Sequence, residues 1–343
     1  MRLLFRADAS RRIGSGHVMR CLALAEAIRP QATDIHFVCR QLDGDLHSLI
    51  EAKGLRCSLL PANEQALDPV SDARQTAALG EGVDWLVVDH YEIDHHWERT
   101  LRPACEKLMV IDDLVDRPHD CDVLLDQTYG RQADDYDALT PDDCRVLAGT
   151  QYALLRPEFA AGRPSALKRR AASTGIGHVL ISMGGFDPEN RTLDVLETLA
   201  DTAYAGQLTV TVVCGAQVPD GDAPLASFAG HFGTLDIRQR VDNMAELMAA
   251  ADLAIGAGGT TSWERCCMGL PSLVCIMADN QRDVAGSLEA AGAISVWESR
   301  SELKEKLDMY EGDHALHRSA IAAAADVCDG LGLDRVVSVM QSC

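Results

Sequence analysis

Short apolar runs alternate with amphipathic stretches along the chain. Residues 3–6 precede a helix-like segment at 17–28, residues 35–39 precede 45–53, and Val83–Asp89 precedes 95–105. Further apolar runs lie at 108–111, 123–125 and 145–147. These runs are continuous rather than alternating. That is the pattern of parallel strands buried on both faces and joined by helical crossovers. At 156–170 the pattern breaks, and RPEFAAGRPSALKRR, with two prolines, a glycine and a cluster of cations, reads as an interdomain connection. The alternation restarts at 179–183, 208–214, 253–255 and 273–277, and the first three runs end in Gly184-Gly185, Gly215 and Gly256. Residues 334–340 read as a terminal helix. Two successive α/β halves follow, expected at 1–155 and 171–330, with 331–343 packing back on the first. Ligands of open α/β sheets bind beyond the carboxyl ends of the strands. The glycine-rich turns are therefore the first places to look, and two sets of them suggest a ligand cleft between the halves.

Composition narrows the partners. At 343 residues the chain is long enough for two domains with real cores. Its 31 basic and 52 acidic residues give a net charge of −21, which argues against nucleic acid and anionic membrane as partners. A small anionic ligand in a locally basic loop stays open. The 12 cysteines form no CxxC pair, so no zinc ribbon is expected, and most sit in apolar runs as small buried hydrophobes. The first apolar run is three residues long and none approaches about 18, so neither a signal peptide nor a membrane span is expected. A cytoplasmic chain with reduced thiols is the expectation.

Four constellations can carry chemistry. In the first, Arg6-x-Asp8-x-Ser10 leads through Arg11-Arg12 into Gly14-Ser15-Gly16-His17 and Arg20-Cys21. The glycines permit close backbone approach, and the helix start offers free N–H groups to an anion. His17 at that start is held neutral by the dipole and suits a general base. The same spacing also fits a capped turn, and Asp8 can orient the imidazole or cap the turn. Arg6, Arg11, Arg12 and Arg20 make the loop basic.

The second is Gly256-Ala257-Gly258-Gly259-Thr260-Thr261-Ser262-Trp263-Glu264. Its amides and three hydroxyls form a diphosphate cradle. It lacks the lysine of a P-loop. Glu264, one turn into the helix, can accept a ribose diol or simply satisfy the dipole. The third is the Gly184-Gly185 turn, with Asp187 or Asn190 as cap of the next helix. The fourth is Asp89-His90-Tyr91, which can face a substrate or form a satisfied strand-end cluster. His95-His96 and Asp112-Asp113 lack metal-motif spacing, and no metal or cofactor is expected.

RADASRRIGSGHVMRCLALA, VVDHY, SMGGFDPEN and GAGGTTSWERCCMGLPSLVCIMADNQ together resemble the UDP-sugar hydrolases of pseudaminic acid biosynthesis (the PseG type), in order along nearly the whole chain. The wider relatives are GT-B glycosyltransferases of the MurG kind. The resemblance implies an α/β, GT-B-like fold of two Rossmann-like domains with mostly parallel sheets facing a central cleft. It implies water replacing UDP on UDP-2,4-diacetamido-2,4,6-trideoxy-β-L-altropyranose with inversion and without a metal, toward nonulosonic acids for flagellin or surface glycans. His17 would be the base, with Tyr91 near the sugar and Asn280-Gln281 beside the cleft. Gly258, Gly259, Thr260, Thr261 and Ser262 would hold the diphosphate. A glycosyltransferase, a hydrolysing 2-epimerase and a non-catalytic UDP-sugar sensor are the alternatives, since one fold hosts many functions.

Overall fold

The computed structural model describes all residues except 62–66, 174, 186, 188, 216–222 and 240, and the side chains of 223 and 280. The chain divides into two compact units, Met1–Leu154 with Leu331–Cys343, and Leu155–Gly330.

The strands of the first unit are β1 (Arg2–Ala7), β2 (Asp34–Arg40), β3 (Arg56–Leu60), β4 (Val83–Asp89), β5 (Cys105–Ile111), β6 (Val123–Asp126) and β7 (Arg145–Ala148). They form a parallel sheet in the order β3-β2-β1-β4-β5-β6-β7. The strand order reverses between β1 and β4, which is where ligands enter such sheets. The helix Gly16–Ile28 covers β1 with Val18, Cys21, Leu22, Leu24, Ala25 and Ile28. The helix Gly332–Ser342 adds Leu333, Val336, Val339 and Met340 to the same core. Their spacing of three and four residues puts all four on one helical stripe.

The strands of the second unit are β8 (His178–Ser182), β9 (Thr209–Cys214), β10 (Thr234–Gln239), β11 (Leu253–Ala257), β12 (Ser272–Cys275) and β13 (Ile294–Val296). They too are parallel, in the order β10-β9-β8-β11-β12-β13, with the reversal between β8 and β11. The continuous apolar runs therefore mark parallel α/β sheets, as the sequence pattern predicts.

The segment expected as an interdomain connection is instead a helix of the second unit, Pro157–Ala171. Proline in the first turn costs nothing, because that N–H has no helical partner. Pro164 forgoes one hydrogen bond inside the helix. The three arginines of this helix, Arg163, Arg169 and Arg170, are bonded to carbonyls of other elements. Arg163 donates to Cys267 O at 2.6 Å, Ala325 O at 2.7 Å and Cys328 O at 2.9 Å. Arg169 bonds Asp252 at 2.6 Å, and Arg170, 1% exposed, donates to Met268 O at 2.8 Å. Desolvation, with Arg169 nearby, brings Arg170 down to about 10.

Candidate functional site

At the reversal point of the first sheet, the turn after β1 and the end of β4 bring His17 and Tyr91 together. Their rings meet edge to face, with centroids 4.5 Å apart. Ser10 shapes the turn: its hydroxyl accepts from the N–H groups of Arg12 and Ile13, and its backbone bridges Gly14. Ser15 then precedes the helix without a side-chain cap bond. His17 is the second residue of that helix and is 7% exposed. Its Nδ1 is buried without a hydrogen-bond partner among the described residues, and its Nε2 faces Asp89 Oδ1 at 3.9 Å. Desolvation lowers the imidazole pKa. Asp89 opposes that shift and Arg20 adds to it. Asp89 is itself locked by Arg20 through bonds of 2.5 and 2.7 Å, and Arg20 reaches on to Asp113 at 3.1 Å.

Asp8 is not the partner of His17. Its oxygens are taken by Arg6 at 2.6 Å, by Arg40 at 2.6 Å through Nε and 2.8 Å through the backbone, and by His90 at 3.0 Å. Glu92 N donates to His90 Nδ1 at 3.0 Å, so His90 carries its proton on Nε2 and donates to Asp8. Burial would raise the Asp8 pKa, but Arg6 and His90 together outweigh it and hold the carboxyl far below the usual range. Arg6 also grips Asp72 at 2.7 Å and is fully buried. The expectation of a loop made basic by Arg6 and Arg20 is therefore corrected: both are buried and neutralised. Arg11 pairs with Asp43 at 2.8 Å. The Arg12 guanidinium is exposed and has no ion-pair partner among the described residues. It lines a cavity of about 250 Å³ with Ser10, Arg11, Arg40 and Asp43.

Asp8 and Asp89 belong to a wider pattern that sequence reasoning missed. β1, β4, β5 and β6 each end at a buried aspartate, and each aspartate has an arginine. Asp8 has Arg6, Asp89 has Arg20, Asp112 has Arg117 at 2.9 Å, and Asp126 has Arg131 at 2.5 Å. The signal available was a lone Asp closing an otherwise apolar strand. His119 lies between Glu98, at 2.7 Å, and Asp112, at 3.8 Å. Burial disfavours its charge, yet the two carboxylates lift its pKa to about 9.

In the second unit the glycine turns gather at the reversal between β8 and β11. A Cβ on Gly256 would stand 2.2 Å from Ser182 O, and one on Gly215 would stand 2.3 Å from Gly185 O. Neighbouring backbone packs where side chains would be, so Gly184 and Gly185 abut the start of the β9 turn. Beyond Gly256, Gly258 and Gly259 lead into the helix Thr261–Cys267. Gln281 lies against this turn, 3.3 Å from where a Gly258 Cβ would be, held by Met277 N at 2.9 Å. The side chain of its neighbour Asn280 lies outside the described set. The hydroxyls of Thr260 and Thr261 are committed to no described partner. Ser262 departs from expectation: it is 1% exposed, and its oxygen accepts from Arg265 at 3.0 Å, so its hydroxyl faces inward. Asp187, not Asn190, caps the next helix through Arg191 N and Thr192 N, both at 2.8 Å.

Glu264 is one-fifth exposed, with Arg156 at 3.8 Å. Desolvation still prevails over Arg156 and pushes its carboxyl up to about 7. Among the described residues, the group with metal-ligand proximity is Asp94, His95 and His96, within 4.8 Å of one another. Asp94 there already accepts from His96 N at 2.9 Å.

Residues 180–326 match the glycosyltransferase family 28 C-terminal domain. Over 203 residues the chain is 31% identical to the UDP-2,4-diacetamido-2,4,6-trideoxy-beta-L-altropyranose hydrolase of Campylobacter jejuni, covering 59% of this chain and 67% of that protein. An uncharacterized protein of Methanocaldococcus jannaschii is 26% identical over 286 residues, covering 82% of this chain and 57% of its own length. Among solved structures, MurG of Acinetobacter baumannii aligns over 100% of both chains at 15% identity, with a TM-score of 0.68. That likeness places both units in the GT-B class of folds.

Proposed function

The chain belongs to the family of the UDP-2,4-diacetamido-2,4,6-trideoxy-beta-L-altropyranose hydrolase, and from that premise we propose that it hydrolyses a UDP-diacetamido-trideoxyhexose with inversion at the anomeric carbon. The observation that carries this reading is His17. It is a buried imidazole whose pKa burial lowers, with one nitrogen unpartnered among the described residues and the other facing a fixed carboxylate. A neutral imidazole keeps one nitrogen lone pair, and that lone pair is what takes a proton from water. The Asp89–Arg20–Asp113 chain fixes the carboxylate that Nε2 faces, and the Tyr91 ring packs edge-on against the imidazole. Once water has lost its proton to His17, its oxygen attacks the anomeric carbon as the bond to UDP breaks.

UDP leaves readily, so the second unit has only to receive a diphosphate. The Gly258–Gly259 backbone, the free hydroxyls of Thr260 and Thr261, and the first turn of the helix that follows suit that task. Glu264 is placed to accept the ribose hydroxyls, and Gln281 closes over the turn. In the first unit, the turn Gly14–Ser15–Gly16 and the Arg11–Arg12 cavity are the surfaces offered to the sugar. Asp8 serves them as a buried anchor rather than as a reacting group. Enzyme action on UDP-sugars is the shared ground of the hydrolase relative and the family 28 match.

The test is product analysis by NMR of a UDP-diacetamido-trideoxyhexose incubated with the protein, expecting UDP and an inverted free sugar. His17→Ala should lower kcat by about 100-fold or more while leaving UDP affinity unchanged. Wild-type turnover by that variant would overturn the base assignment. The family 28 match favours one second reading, transfer to an acceptor alcohol; turnover only with an acceptor present would select it.

A further inference from the structure

Cys121 stands just before β6 and Cys144 just before β7, at the amino edge of the first sheet. That is the edge opposite His17. Their sulfurs are 3.6 Å apart. Cys121 is 1% exposed, whereas Cys144 is half-buried, next to exposed Asp143 and Arg145. We propose that this pair is an oxidative modification site that hydrogen peroxide, or another small hydroperoxide, converts to an intramolecular disulfide.

The geometry assigns the two sulfurs different tasks. The sulfurs touch and either thiol can donate to the other, but only Cys144 is half open to solvent. The contact between them lowers the Cys144 pKa against the effect of burial and raises that of Cys121. Cys144 is therefore the sulfur that, once deprotonated, meets the oxidant through its half-open side. Its sulfur attacks one peroxide oxygen, the O–O bond breaks and hydroxide leaves. Cys144 is then a sulfenic acid. The Cys121 sulfur, already in van der Waals contact, attacks the Cys144 sulfur; the S–O bond breaks and water leaves with the Cys121 proton. In sum, two thiols and one peroxide give one disulfide and two waters. A sulfur buried beside its resolving partner is spared further oxidation, because the second step needs no search.

The test uses the full reduced chain, one equivalent of hydrogen peroxide, alkylation and mass spectrometry. Expected is a loss of about 2 Da, with a tryptic crosslink joining Cys121 to Cys144. In Cys121→Ser, Cys144 should stop at a dimedone-trappable sulfenic acid. In Cys144→Ser, Cys121 should stay reduced. A first crosslink elsewhere, or Cys144 still alkylatable after peroxide, would overturn the proposal without a variant being needed.

Discussion

Burial moves Glu264 and His17 in opposite directions for one reason: the charged form is penalised in each. An acid at about 7 is a full carboxylate only above that value. On the proposed reading the ribose hydroxyls would donate to the carboxylate, so UDP binding should tighten as pH rises through that midpoint. Calorimetry a unit below and a unit above it should show the change, and Glu264→Gln should erase it. Stability runs the other way. The raised pKa makes the fold bind a proton more tightly than the unfolded chain does. Between the ordinary carboxyl value and about 7, this group therefore destabilises progressively, and the cost is constant above. For His17 the lowered pKa keeps the base free at pH values where an ordinary imidazole, near about 6.5, would be charged. The acid limb of the turnover profile should accordingly lie below that value.

At the scale of elements, Pro157–Ala171 shows how a helix can be disguised. Its prolines and cations suggest a linker because carbonyl acceptors leave no mark in the sequence. Arg163 binds the last carbonyls of two other helices, Thr261–Cys267 and His314–Val327. Arg163→Met keeps the apolar stem and removes those bonds, and should cost about 2 kcal/mol in denaturant unfolding. A variant of unchanged midpoint would show the bonds to be idle. The strands obey a cleaner rule. Every interior strand was legible as an apolar run, because both its faces are covered. The strands that escaped notice, β3, β10 and β13, are sheet edges with partly exposed residues, such as Arg56 and Thr234. The same physics limited the reading of the site. The glycine turns and His17 are local in sequence and could be found there. The pairing of Asp8 with Arg40 and His90, across 32 and 82 residues, could not.

For the whole molecule, the acidic surplus of −21 has to be set against where the charge lies. The strand-end aspartates are buried and neutralised, so the surplus belongs to the exposed faces. The first unit is assembled from both ends of the sequence, with the second carried between them as a continuous insertion. Val336 is fully buried in the first unit's core. Val336→Asp should therefore cost about 3 kcal/mol or more in that unit. Hydrogen exchange should quicken in the helix Gly16–Ile28 and stay unchanged in β11 and β12. Equal quickening in both would show the two units to unfold as one.

That interrupted assembly has a consequence in time. A ribosome finishes the His17-bearing sheet early, then makes the entire second unit before releasing residues 331–343. At roughly 5–20 residues per second the wait is on the order of ten seconds or more. Throughout it, the seam that Leu333, Val336, Val339 and Met340 will cover stands bare on the nascent chain. The second unit, being contiguous, can fold in that interval. The unit that holds His17 therefore cannot close its own seam until the whole of the second unit has been made.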